Sequence, residues 1–375
     1  MAGALLPAGM AAMNISVAAL TVAALVRVRL PGSASVAGYS SPLRGYLLAW
    51  LVYIAVMVVS AVSNGLDLSA LSMIKGQLLF LVVLPAAFVF AEPTLHRRYV
   101  DGLVLGLLVM SLYTLFQLYA PKLLPFVLHR PHRFHAGAFD NALTWTAVLY
   151  VGFSLWISAR EQRRLRWQVL VAVTLLTIWV VTLGERTYSA VAVLLWLAFL
   201  GIKSWRAMLV CLCAAAVLVA LAWPYVSDGK KQRYAWEELS GGKSTKVRRH
   251  LWHMALDMAA QSPVLGVGPG HFADALVERQ GSKKPYYFRH AHSNYLHSLA
   301  ETGVAGLVGL LVLQFQWLAA IWRASHRHRL WWGFSAALFL VLGGITEANW
   351  IDSEVVILGS LLTASILARS RQEAS

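Results

Sequence analysis

The sequence predicts an all-α polytopic membrane protein of about 11–12 transmembrane helices, with one long, partly helical loop on the non-cytoplasmic side. Three observations predict it. The 375 residues are 58% hydrophobic and only 13% charged, and the mean hydropathy of +0.62 is more than a soluble domain of this length sustains. Apolar runs long enough to cross about 30 Å of hydrocarbon recur along the chain. The basic clusters between those runs fall on one side when the runs alternate in direction.

In order, the runs are 4–26, 45–63, 69–91, 99–119, 138–158, 167–184, 187–202, 207–226, 296–321, 330–346 and 354–368. Splitting or merging one short run changes the count by one. The first has no basic leader or small-residue cleavage site and reads as a retained helix. Cys211 and Cys213, two residues apart in one run, point to different helix faces and cannot bond each other. Alternation puts Arg27/Arg29/Arg44, Arg97/Arg98, Arg160/Arg163/Arg164/Arg166, Lys203/Arg206, Arg323/Arg327/Arg329 and Arg369/Arg371 on one side. By the positive-inside rule that side is cytoplasmic. The net charge of +15 is thereby assigned first to cytoplasmic loops rather than to nucleic acid. The chain divides into N-terminal transmembrane helices (1–226), a long outer loop (227–295) and C-terminal transmembrane helices (296–375), with no internal repeat.

Two outer segments depart from the charge rule. Segment 120–137 holds Lys122, Arg130 and Arg133 with three histidines, and 227–291 holds eleven Lys or Arg against six Asp or Glu. Long loops translocate regardless of charge, which is one account; the other is an anionic ligand at the outer face, such as a lipid phosphate or pyrophosphate. Within the long loop, Leu251, Met254, Ala255 and Met258 recur at helical spacing between Arg248, Arg249, His253 and Asp257, which suits a helix over 246–260 lying on or just above the membrane surface. Pro263 and then Gly266, Gly268 and Gly270 end that helix in a tight, close-approach turn.

The polar residues that could carry chemistry gather at one membrane face. Arg186 joins two apolar runs with almost no loop, where a guanidinium is costly unless it pairs with Glu185, snorkels or faces a wet cavity. Arg248 and Arg249 lie on the outer helix, Arg133 at the outer entry to a span, Arg289 just ahead of the next span, and Lys75 inside its own span, where it pairs with Asp67 or lines the same cavity. His292 stands among His290, Asn294, Tyr295, His297 and Glu301, with Asn294, His297 and Glu301 at helical spacing. A lone histidine at a helix start is more often structural; its company makes His292 a candidate general base, with Gly303 and Gly306 letting neighbouring helices close in behind it. No metal is expected, because His290 and His292 lack the spacing that puts two imidazoles on one helix face. No nucleotide loop of the Walker type is present, and no cofactor is expected.

Taken together, Arg186 at a helix break, Arg248 four residues before Trp252, Pro263 followed by Gly266-Val267-Gly268-Pro269-Gly270, and His292-Ser293 separated by nine residues from Gly303-x-x-Gly306 resemble the O-antigen ligase and polymerase superfamily of bacterial envelope glycosyltransferases. The resemblance covers most of the second half, with a weaker echo at Arg133–Asn141, and is nearest the ligase branch. It implies a GT-C-like enzyme of the bacterial inner membrane with its active site in a periplasmic loop. Its substrates would be undecaprenyl-pyrophosphate-linked O-antigen and the lipid A core oligosaccharide, its surroundings membrane lipid, and its transfer metal-independent and inverting. Carried over by position, Arg186 and Arg248 hold the pyrophosphate and His292 is the base; Arg249, Arg133, Arg289, Asn294, Tyr295, Glu301 and Lys75 are expected to contact substrate. The chain departs from the pattern at Arg249, which competes for the Arg248 position, and at Ser293, where the family usually has Asn. Rival readings are an O-antigen polymerase, a protein O-oligosaccharyltransferase and a lipid-linked glycan transporter. Transporters show repeated halves and broken midplane helices, and no repeat is visible here.

Overall fold

A computed structural model describes residues 10–28, 40–119, 142–159, 190–195, 197–198, 205–222, 224, 242–281, 288–328 and 331–372. Arg133, Arg186 and the run expected over 167–184 lie outside the described residues. Every regular element among those described is helical: α1 (Met10–Val28), α2 (Ser40–Ser63), α3 (Leu68–Gln77), a 3₁₀ segment (Leu78–Val82), α4 (Val83–Phe90), α5 (Pro93–Tyr119), α6 (Ala142–Ala159), α7 (Trp205–Ala222), α8 (Lys243–Gln261), α9 (Phe272–Gln280), α10 (Asn294–His328), α11 (Trp331–Gly343) and α12 (Ser353–Gln372). Leu43–Ser63, Leu68–Phe90, Asn294–Ser325 and Ser353–Ser370 are long and apolar enough to cross a bilayer, and Asn14–Arg27, Thr146–Ser158 and Trp331–Gly343 are shorter apolar helices. The protein is an all-α polytopic membrane protein.

The helices pack around α12, whose Ile357, Leu358, Leu361, Leu362 and Ala364 are fully buried against α4, α6 and α10. Lipid cannot drive helices together by the hydrophobic effect, so close packing and interhelical hydrogen bonds must do so. The Trp317 indole donates to Thr363 at 2.7 Å, and the Tyr150 and Ser335 hydroxyls meet at 2.5 Å. The outward faces remain apolar, with Leu51, Val52, Val59 and Val62 on α2 and Val308, Leu311 and Phe315 on α10 exposed. That is the sidedness a lipid-facing surface needs.

The apolar stripe expected for a surface-lying helix is on α8, but it faces protein. Leu251, Ala255 and Met258 are fully buried in a second, smaller core with Phe272 and Leu276 of α9, Ala291, and Ala300 of α10. The segment carrying α8 is therefore folded onto the start of α10 rather than floated on lipid by that stripe. Helix α9 itself was not expected from the sequence.

The long helix α10 is broken. Gly303 sits at φ 65°, ψ −165°, outside the helical region, which frees the carbonyls before it and the N–H groups after it. The turn after α8 fills the gap. Val267 and Gly268 donate their N–H groups to the carbonyls of Ala300 and Glu301, both at 2.9 Å, while Pro263 and Val264 carbonyls accept from Val304 (2.8 Å) and Ala305 (3.2 Å). Ser60 of α2 adds its hydroxyl, 2.6 Å from the Leu265 carbonyl and 3.2 Å from that of Glu301. The approach leaves no room for side chains: a Cβ at Gly303 would stand 2.3 Å from the Val264 carbonyl, and one at Gly266 2.4 Å from the Glu301 carbonyl carbon. What closes in behind Gly303 is thus a backbone loop, not the neighbouring helix expected from the two glycines.

Candidate functional site

The break fixes where the polar segment ahead of α10 can go. Asn294 starts the helix with its N–H on the Gly344 carbonyl (2.8 Å), its Nδ2 on Asn349 Oδ1 (2.5 Å), and its Oδ1 accepting from the Trp350 N–H (3.0 Å). These bonds lay the 344–350 loop beside residues 290–294 and carry Glu347 to His292. His292 adopts φ 50°, uncommon outside glycine. Its N–H points at His290 Nδ1, 3.3 Å away.

At the centre of the site is a buried carboxylate with two partners. Glu347, almost fully buried, places Oε1 2.5 Å from His292 Nδ1 and Oε2 3.3 Å from an Arg248 terminal nitrogen. Burial alone would raise this carboxyl; the hydrogen bond from His292 and the positive field of its neighbours, Arg248 among them, outweigh it and hold it below the usual carboxylate range. His292 and Arg248 keep about a quarter of their side chains exposed, at 23% and 26%, enough to meet a substrate. Arg248 also reaches Ser244 at 3.0 Å, and its buried Nε has no partner among the described residues. The His290 ring stacks edge-on against His292 at 4.4 Å. Burial, reinforced by the neighbouring His292 and His297, pushes it down to about 3, so His290 is neutral at neutral pH and can accept the His292 N–H.

The structure separates the expected site residues into three groups. His292 and Arg248 converge on Glu347. Asn294, Tyr295 and Glu301 turn inward and engage protein: the Tyr295 hydroxyl lies 3.0 Å from both Gln314 Oε1 and the Val341 carbonyl, and Glu301 Oε1 accepts the Phe272 N–H at 3.1 Å, holding the N-terminus of α9. Asn294, His297 and Glu301 share one face, as their spacing predicted, and line a small cavity beneath the break. Arg249, Arg289 and Lys75 are exposed. Of Arg248 and Arg249, Arg248 is the one that reaches Glu347, and Asp67 pairs not with Lys75 but with His271, 3.2 Å away. Glu347 is the residue the sequence reading missed, having been placed only on an outer loop.

Helical spacing of His290 and His292 would speak against a metal. They lie instead in non-helical chain, and with Glu347 they offer three donor atoms within 4.8 Å of one another, a set of the kind zinc takes. Each of the donors at Glu347 and His292 Nδ1 is already committed, however, to the other or to Arg248.

No curated protein matches the chain. A family model described as O-antigen ligase matches residues 170–311, a segment that contains Arg186, Arg248, the Pro263–Gly270 turn, His292 and the Gly303 break. The matched family is of the O-antigen ligase or polymerase type. The similarity to the O-antigen ligase family spans residues 170–311, less than half of the chain.

Proposed function

We propose that this protein is an O-antigen ligase, transferring O-antigen polysaccharide from undecaprenyl pyrophosphate to the lipid A core oligosaccharide at the periplasmic face of the bacterial inner membrane. The observation that carries this reading is the convergence of a part-exposed imidazole and a part-exposed guanidinium, His292 and Arg248, at the mouth of α10. His292 takes the proton of the attacking core hydroxyl as that oxygen bonds to the anomeric carbon. The bond from that carbon to the carrier's phosphate oxygen breaks, its electron pair leaving with the pyrophosphate, and one-step attack from the opposite face inverts the configuration. Arg248 and Arg186, the latter assigned by resemblance alone, balance the charge growing on the leaving group without a metal; Arg133 and Arg289 are secondary contacts. Membrane anchoring of both substrates removes most of the search.

Arg248→Ala is expected to lower transfer by about 10²–10³-fold, the loss typical of one positioned charge donor, while Arg249→Ala, on the exposed face, stays within a few-fold of wild type. Equal losses would remove the distinction between the two. The reaction is tested directly with purified protein, a pyrophosphate-linked glycan and rough lipopolysaccharide, with chelator present and no nucleotide. Glycosylated core is the expected product. Growth of the glycan on its carrier in place of the core would instead identify a polymerase.

A further inference from the structure

We propose that Glu347 is the positioning residue of this site, holding His292 with its hydrogen on Nδ1 and its lone pair on Nε2, and tying the base to the arginine beside the leaving group. The inference rests on reading His292 as the base. An ionised carboxylate only accepts hydrogen bonds, so the 2.5 Å contact to Glu347 Oε1 requires hydrogen on His292 Nδ1 and leaves Nε2 to take a proton. Outer carboxylates hold imidazoles in this way in metal sites and hydrolytic triads. The carboxylate is not free to wander: its loop is pinned by Asn294 to Asn349 and Trp350.

When His292 removes the hydroxyl proton it becomes an imidazolium, and the nearly buried Glu347 is the anion that stabilises it; the part-exposed ring then passes the proton to solvent. The groups facing His292 among the described residues are few. They are the His290 ring at 4.4 Å, Phe288 at 6.0 Å and Glu347, with Arg248 behind Glu347 and His297 6.5 Å beyond His290. Among the described residues, Glu347 is the one anion in contact with the ring. Its second oxygen also orients Arg248, so one side chain sets the aim of both.

A rival account is that Glu347 merely fastens the 344–350 loop to α8. The two separate on pH behaviour. In the full-length protein reconstituted in lipid, the carbethoxylation of His292 by diethylpyrocarbonate is followed against pH and localised by mass spectrometry, alongside transfer kinetics, for wild type, Glu347→Gln and Glu347→Asp. In Glu347→Gln the reactive form of His292 is expected to persist to lower pH than in wild type, because the anion that stabilises the imidazolium is gone. In the same variant kcat falls about 10²–10³-fold, KM for either glycan changes little, and the acid limb of the pH–rate profile moves with the labelling curve. Glu347→Asp, which keeps the charge but shortens the reach, falls between, and decides the matter if the glutamine variant does not accumulate. A labelling curve in either folded variant that coincides with wild type overturns the proposal. Labelling that shifts as expected in a protein that transfers no glycan leaves the pairing standing and removes the ligase reading instead.

Discussion

Replacing His292 with Asn is expected to stop glycan transfer, by about 10³-fold or more, in a protein that still folds. Asparagine is the informative choice because the residue sits at φ 50°, a conformation Asn tolerates better than almost any other non-glycine residue. Its amide N–H can still meet Glu347, so the loop contacts survive while the base is gone. General bases contribute about 10²–10⁴-fold, and here the loss is at the upper end because His290, the next imidazole, is held neutral by burial and spends its Nδ1 on the backbone of residue 292. The measurement is the initial rate of core glycosylation at matched protein level, with a thermal melt to show that folding is intact. Residual transfer within tenfold of wild type would take His292 out of the mechanism. Alanine at the same position should lose as much transfer, with a further loss of stability from the strained backbone.

How much of this site was legible in the sequence depended on how local the signal was. The outer helix expected over 246–260 spans Lys243–Gln261, and the run expected over 45–63 ends at Ser63 as α2 does, because apolar periodicity and a following Pro or Gly are properties of neighbouring residues. The face shared by Asn294, His297 and Glu301 followed from the same arithmetic. Glu347 could not be read this way. It lies 55 residues from His292, in a short loop whose course is set by Asn294 pairing with Asn349 and Trp350, and no periodicity joins those positions. The destination of the α8 stripe was hidden for a similar reason: an apolar face at helical spacing suits lipid and protein equally, and α9, which covers part of it, is only nine residues long. The break in α10 was masked by its own apolar composition, which runs on through Gly303, so that Gly303 and Gly306 read as a helix-packing pair.

That break is the basis of the second large effect. Gly303→Ala is expected to destabilise the protein by several kcal/mol, enough to prevent accumulation of folded protein in the membrane, although residue 303 touches no substrate. Two costs add. At φ 65°, ψ −165° the backbone is in a region that only glycine occupies readily, at about 1–3 kcal/mol for any other residue. The new Cβ would also stand 2.3 Å from the carbonyl carbon and oxygen of Val264, and those are main-chain atoms that cannot rotate aside. To make room the 263–268 turn must withdraw, and it then gives up the four backbone hydrogen bonds that satisfy both sides of the break. Unpaired backbone groups cost several kcal/mol each in a setting where water cannot replace the lost partner. Restoring a continuous helix is no escape, because it would turn residues 294–302, and with them the chain leading to His292, away from Glu347. Gly65→Ala is the control: at φ 87° with nothing within 4 Å of the added methyl, it carries the conformational cost alone, about 1 kcal/mol. Size-exclusion yield and thermal unfolding of the detergent-purified proteins compare the two, and a Gly303→Ala protein as stable as the Gly65→Ala control would mean that the turn does not seat in the helix.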